Sequence, residues 1–221
     1  MFLDYPERPR APPPASVQLS GLEQEPLLLP WDLRLTPEQF ERVCQANPEA
    51  LLELAADGAL IAMTPTGGET GSRNSRLLIQ LGMAVGRGQP SLRIFDSSTG
   101  FLLPDGSVLS PDAALVLEER WQGLSPEQRR SFPPLSPDLV IELASTRDEG
   151  PRGVAALRRK MDLYQANDVR LGWLLLPHEQ AVEIWRCGQL GMGERQENAS
   201  RLDGSELAAG LGLDLEEIWV V

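Results

Sequence analysis

The chain of 221 residues contains a single lysine, Lys160, beside nineteen arginines, and it has one histidine and two cysteines. One histidine excludes a multi-histidine metal site, and the setting of His178 in Pro177-His178-Glu179-Gln180 predicts a solvent-facing turn residue. Cys44 and Cys187 lie in different segments with neither CxxC nor zinc spacing, which suits two unpaired thiols in a reducing compartment. No run of about 18 apolar residues is present that could span a membrane, and Met1 to Tyr5 does not lead into the apolar core of a secretory signal. The expected location is cytoplasmic. No repeat of solenoid length is present.

The formal net charge of −12 repels polyanions overall and argues against broad, nonspecific nucleic-acid binding. A local basic groove stays compatible with it. Arg147, Arg152, Arg158, Arg159 and Lys160 form the densest basic stretch, partly offset by Asp148, Glu149 and Asp162. Such a stretch is either a solvated helix face or one wall of a groove.

A hydrophobic content of 42% over this length supports one substantial α/β core. Seven prolines in the first thirty residues, without hydrophobic periodicity, predict an extended proline-rich arm over 1–30 and one domain over 31–221. Thr36-Pro37-Glu38-Gln39 carries an N-cap, a first-turn proline and a capping-box glutamine, so a helix starts there. Asn47-Pro48 restarts it as a short second helix reaching Ala56. Asp57-Gly58 then turns the chain into a strand over Ala59 to Met63.

From about Glu69 to Val85 the pattern is helical, with Thr70 and Asn74 on the same side as Leu77 and Leu81. These two polar residues either bond to neighbouring backbone or line a cleft. Further strands are predicted over Leu92 to Ser98, Phe101 to Leu103, Ala113 to Leu117, Leu139 to Ala144, Leu171 to Leu176 and Val182 to Arg186. The unalternated run Leu139-Val140-Ile141 predicts a strand covered on both faces, hence a three-layer α/β core.

Lys160 falls within a predicted helix. At 3.6 residues per turn it shares the apolar side of Val154, Leu157, Met161 and Tyr164, while Arg158, Arg159 and Asp162 face outward. Such a lysine either lays its methylenes along the core edge with its ammonium in water or serves as a point donor, a task the flat arginine fork does not perform.

Two Ser-Pro-Asp triplets, Ser110-Pro111-Asp112 and Ser136-Pro137-Asp138, each open a strand, where proline costs no ladder hydrogen bond. The two-residue period puts Asp138, Val140, Glu142 and Ala144 on one face, so Glu142 is a carboxylate in an apolar setting. Buried alone it would be costly. Lys160 follows eighteen residues later on the helix that should cover this sheet. Adjacent strands would bring Asp112, Glu142 and Lys160 to one spot. That grouping is either a two-carboxylate Mg²⁺ site with open water positions or a buried Glu142–Lys160 ion pair beside a loop-capping Asp112.

Met63-Thr64-Pro65-Thr66-Gly67-Gly68, Asp96-Ser97-Ser98-Thr99-Gly100-Phe101, Ser110-Pro111-Asp112, Pro137-Asp138-Leu139-Val140-Ile141-Glu142, Lys160-Met161-Asp162-Leu163-Tyr164 and Gly172-Trp173-Leu174 together resemble the Uma family of "putative restriction endonucleases", within the PD-(D/E)xK nuclease superfamily. The resemblance runs from about Thr36 to Trp219. It implies a restriction-endonuclease-like fold, with a mixed central sheet flanked by helices, often assembled as a homodimer. Asp112 matches the PD aspartate and Glu142 the second acid. Both would bind Mg²⁺, or Mn²⁺ as a substitute, with the Leu143 carbonyl as a further ligand. Lys160 matches the catalytic lysine.

The superfamily motif places that lysine two residues after the second acid, where this chain has Ala144, so the lysine has moved to the following helix. Thr70 stands where many family members carry histidine. The implied activity is Mg²⁺-dependent hydrolysis of DNA phosphodiester bonds. The alternatives are a nuclease-fold binding or regulatory module that retains a metal or ion-pair site, and a hydrolase of a smaller phosphoester.

Overall fold

The computed structural model describes residues 32–86, 91–148, 150–189 and 193–220. The proline-rich stretch 1–30 lies outside the described residues. The first helix, α1 (Pro37–Ala46), starts as its capping box requires: Thr36 accepts from the Gln39 backbone while the Gln39 side chain accepts from the Thr36 backbone.

The expected second helix is instead a strand, β1 (Leu52–Leu54), paired antiparallel with β2 (Leu60–Ala62). Leu-Leu-Glu-Leu-Ala-Ala is a good helix former locally, and tertiary contacts override it. Leu54 packs with Phe40 and Val108, while Glu53, on the other face of the strand, meets Lys160. The hairpin turn needs Gly58, whose φ is +83° and whose hydrogen sits where a Cβ would lie 2.7 Å from the Leu35 carbonyl oxygen.

Helix α2 (Gly68–Val85) is followed by strands β3 (Leu92–Asp96), β4 (Phe101–Leu102), β5 (Val108–Leu109) and β6 (Ala113–Leu117). Two short helices, α3 (Glu118–Gln122) and α4 (Pro126–Arg130), precede β7 (Leu139–Leu143). A 3₁₀ turn at Thr146–Asp148 then leads into α5 (Pro151–Ala166). The chain ends with β8 (Leu171–Leu176), β9 (Ala181–Arg186), β10 (Glu194–Glu197), β11 (Arg201–Asp203), β12 (Gly212–Asp214) and α6 (Glu216–Trp219).

The main sheet runs β10-β9-β8-β7-β6-β3, with β7 and β8 parallel and every other neighbouring pair antiparallel. Helix α5 makes the β7–β8 crossover. A smaller antiparallel sheet runs β2-β1-β5-β4, and β11 pairs with β12. Successive residues of β7 separate cleanly between the two faces. Leu139, Ile141 and Leu143 pack toward Leu77 and Leu81 of α2, whereas Val140 and Ala144 pack toward Val154, Met161 and Tyr164 of α5. The result is the three-layer α/β core, a mixed sheet with helices on both faces, expected from the unalternated apolar strands. Among the described residues no helix is long and apolar enough to cross a membrane.

Candidate active site

The β6–β7 register pairs Ala113 with Ile141 and Ala114 with Val140. Continued by one residue, it sets Asp112 across from Glu142 on the face that α5 covers. Cross-strand neighbours on one face have Cβ atoms about 5 Å apart. The Leu143 backbone N–H donates to Asp112 Oδ2 at 2.7 Å, which fixes that carboxylate at the mouth of β6.

Lys160 is turned inward. Its ammonium lies 2.8 Å from Glu142 Oε1 and 2.9 Å from Glu53 Oε1, and it donates to the Ser110 carbonyl at 3.1 Å. Its side chain is only 17% exposed, so it does not snorkel. The Tyr164 hydroxyl, one helical turn on, donates to Glu142 Oε1 at 3.1 Å. Glu53 also accepts from the Ser110 backbone N–H at 2.8 Å. The three sequence candidates therefore come together, and Glu53 joins them.

Charge shapes the site. Burial, reinforced by the neighbouring Asp112 and Glu53 carboxylates, pushes the Glu142 carboxyl up to about 8 against the pull of Lys160. Burial by itself would depress the Lys160 ammonium, but Glu142 and Glu53 more than offset it and hold the lysine above its ordinary value. The half-buried Asp112 carboxyl is raised by desolvation, opposed by the Leu143 N–H and Lys160 and aided by Asp148 and Glu53. Burial and the facing carboxylates also keep the Tyr164 hydroxyl protonated well beyond the usual tyrosine range. Three carboxyl groups face one ammonium, and a bound cation would favour their ionised forms.

The second Ser-Pro-Asp plays a different part. Asp138 is fully buried at the opposite end of β7, where Oδ2 accepts from the Leu117 N–H at 2.8 Å. Arg120 and Arg170 lie 3.0 and 3.5 Å from its Oδ1, close enough for ion pairing though not aligned as hydrogen bonds. Asp138 ties β6, β7 and β8 together away from Glu142. Thr70 and Asn74 sit on α2, across the sheet from α5, and among the described residues no hydrogen bond or ion pair joins them to Asp112, Glu142 or Lys160.

The basic stretch divides. Arg158 is committed to Glu183, with its Nε 2.8 Å from Oε2, whereas Arg152 and Arg159 are exposed on α5. Arg147 hydrogen-bonds Thr64 Oγ1, linking the 3₁₀ turn to the loop before α2. In the same turn Asp148 accepts from the Ser145 backbone and hydroxyl at 2.9 and 2.6 Å. Ser145 and Asp148 line a cleft of about 230 Å³ with Ala144, Val154 and Leu176. It opens at the carboxyl ends of the parallel strands β7 and β8, the usual position for a ligand in an α/β sheet. His178, exposed in the turn after β8, also lines this cleft.

Glu53 escapes sequence reading because its segment scores as helix and its partners lie far along the chain. The signal available was a lone acid between two leucines just before a turn.

Several chains of solved structures match this chain. A crystal structure from Anabaena variabilis, described as "a putative nuclease belonging to DUF820", superposes with a TM-score of 0.64 at 20% identity, covering 85% of this chain and 99% of that one. The likeness at that identity is one of fold. No curated protein matches. The family described as "Uma2: Putative restriction endonuclease" matches residues 37–216, a span holding Glu53, Asp112, Glu142 and Lys160, and the chain belongs to that family.

Proposed function

We propose that this protein is a Mg²⁺-dependent endonuclease that hydrolyses DNA phosphodiester bonds. The observation that carries the reading is the pairing of two facing strand acids, Asp112 and Glu142, with an inward lysine 2.8 Å from the second. Family membership supplies the substrate class. A homodimer, a cytoplasmic setting, and the division into an arm over 1–30 and a catalytic domain over 31–221 complete the proposal.

The residues present fit a hard divalent cation. Asp112 Oδ2 is taken by the Leu143 N–H and Glu142 Oε1 by Lys160 and Tyr164, so Asp112 Oδ1 and Glu142 Oε2 accept no hydrogen bond from a described residue. Carboxylate oxygens are the donors Mg²⁺ prefers, and it commonly takes one or two of them and keeps waters elsewhere. Among the described residues there is no group of three or more His, Cys, Asp or Glu side chains placed to hold a metal ion, so the ion would rest on these two carboxylates and solvent. Asp112 and Glu142 would hold the ion, with the Leu143 carbonyl as a further ligand. A bound Mg²⁺, or Mn²⁺ in its place, supplies charge neutralisation at the scissile phosphate and lowers the pKa of a coordinated water.

The protein groups have distinct tasks. Lys160, held protonated by two carboxylates, is suited to stabilise negative charge on a phosphoryl oxygen or to orient the attacking water, and it is unsuited to act as a base. Tyr164 holds the Glu142 carboxyl in place. Water oxygen bonds to phosphorus as the P–O bond to the leaving strand breaks; the proton the water gives up passes to solvent, and the leaving oxygen takes one from solvent.

A second reading, a nuclease-fold binding module, is favoured by one observation: all three ammonium donors of Lys160 already meet protein acceptors. The two separate in a cleavage assay on plasmid, single-stranded DNA and RNA with Mg²⁺ or Mn²⁺. The nuclease reading expects cleavage by the wild type that is lost in Asp112→Ala and Lys160→Ala. Equal activity in the variants would sink the site assignment. Absence of cleavage together with absence of metal binding by calorimetry would favour the module.

A further inference from the structure

The geometry points to Glu53 as a positioning residue that aims the Lys160 ammonium at the reaction centre and braces the strand mouth carrying Asp112. This rests on the proposed role of Lys160 as a site lysine. Glu53 belongs to the small sheet, on the strand between the α1 helix and the Asp57-Gly58 turn, and contributes nothing to the apolar cluster that Leu54 joins. It is nonetheless only 4% exposed. A buried carboxylate that served packing alone would be outdone by an apolar side chain of similar volume, so its placement calls for a polar purpose.

That purpose is visible in its two contacts. Glu53 Oε1 receives the Ser110 N–H at 2.8 Å and the Lys160 ammonium at 2.9 Å, while the Ser110 carbonyl receives the same ammonium at 3.1 Å. Glu53 and Lys160 thus grip both polar groups of Ser110, two residues before Asp112. An ammonium has three N–H donors, and here three acceptors fix where they point. Two are the carboxylates of Glu53 and Glu142. The third and longest contact, to the Ser110 carbonyl, is the one a substrate phosphoryl oxygen or the attacking water would take over. Without Glu53 the ammonium loses one of its two charged anchors, and a second N–H becomes free to wander. The planar arginine fork does not give three convergent donors from one atom, which accounts for lysine at this position in an arginine-rich chain.

The lone lysine makes the test direct. With [¹⁵N]lysine labelling the full-length protein gives one side-chain ammonium signal, and a buried, ion-paired ammonium exchanges its protons slowly enough to be seen near neutral pH. Glu53→Gln, close to isosteric and still able to accept from Ser110, should broaden or shift that signal without altering the fold seen by circular dichroism. It should also lower kcat by about 10- to 100-fold, as loss of a supporting contact to a site group does, with KM changed less than about threefold. If Glu53→Gln does not fold, Glu53→Asp, which keeps the charge but withdraws it by one methylene, should move both readouts in the same direction. An unchanged Lys160 signal overturns the proposal, as does an altered signal with unchanged kcat. A wild type that cleaves no nucleic acid but whose lysine signal responds to Glu53→Gln refutes the nuclease reading while upholding the hold of Glu53 on Lys160.

Discussion

Replacing Lys160 with methionine removes one charge and little volume, and it strands Glu53 and Glu142, both buried, without their counterion. At 2.8 and 2.9 Å, each pairing carries about 6 kcal/mol of gross attraction at an effective dielectric of about 20. Most of that is cancelled by the desolvation already spent on bringing the ammonium inside, and breaking a buried pair from one side costs a net ~3–5 kcal/mol. The low end applies near pH 7, because the Glu142 carboxyl, raised to about 8, already holds its proton over most of the population there. For a domain of this size ~3 kcal/mol corresponds to a fall in Tm of roughly 6–12 °C. Urea unfolding of the metal-free protein, followed by circular dichroism, reads the loss. As pH rises through about 8 the Glu142 carboxyl ionises and needs the ammonium, so the penalty should grow toward the high end. A loss below about 0.5 kcal/mol at pH 7, the range of an ordinary surface substitution, would refute the buried triad.

Two further outcomes follow from the same chemistry. The Glu142 carboxyl is raised in the folded state from an ordinary 4.5 to about 8, so its contribution to stability is fully present below about pH 4.5 and is lost as pH rises through about 8; thermal scans of the metal-free wild type against Glu142→Gln should therefore show the variant gaining relative stability across that window, and a difference independent of pH would contradict the burial. Asp138→Asn removes a fully buried charge whose partners are the Leu117 N–H, Arg120 and Arg170, which should cost about 2 kcal/mol in urea unfolding while calorimetric Mg²⁺ affinity stays within about twofold; a large loss of metal affinity would place Asp138 in the wrong half of the molecule.

Much of this arrangement is legible in the chain because it rests on short-range periodicity. The helical face that carries Met161 and Tyr164 also carries Lys160, and the two-residue period of β7 turns Glu142 toward that face, so one rule for helices and one for strands predict their meeting. The long apolar strands β6, β7 and β8 announce the covered sheet in the same way. Where local and tertiary preferences conflict, the chain misleads: Leu51 to Ala56 favours a helix, yet the hairpin with β2 and the pull of Lys160 on Glu53 make it a strand.

The two Ser-Pro-Asp triplets are indistinguishable as words. Only the registers of β6 and β7 send Asp112 to the lysine and Asp138 to Arg120 and Arg170. Other elements were within reach of sequence rules. Ser125-Pro126-Glu127-Gln128 repeats the capping pattern of Thr36-Pro37-Glu38-Gln39 and opens α4 with the same reciprocal bonds. The exposed, charged β10 carries no hydrophobic alternation and is defined by its pairing with β9.

The central claim is that Asp112 and Glu142 jointly hold a divalent cation beside Lys160. An anomalous difference map from a crystal soaked in Mn²⁺ tests it most directly. The proposed centre predicts a peak within about 2.5 Å of a carboxylate oxygen of both Asp112 and Glu142, absent in Asp112→Asn. Manganese bound only elsewhere, or nowhere, with Lys160 still closed on Glu142 and Glu53, would contradict it.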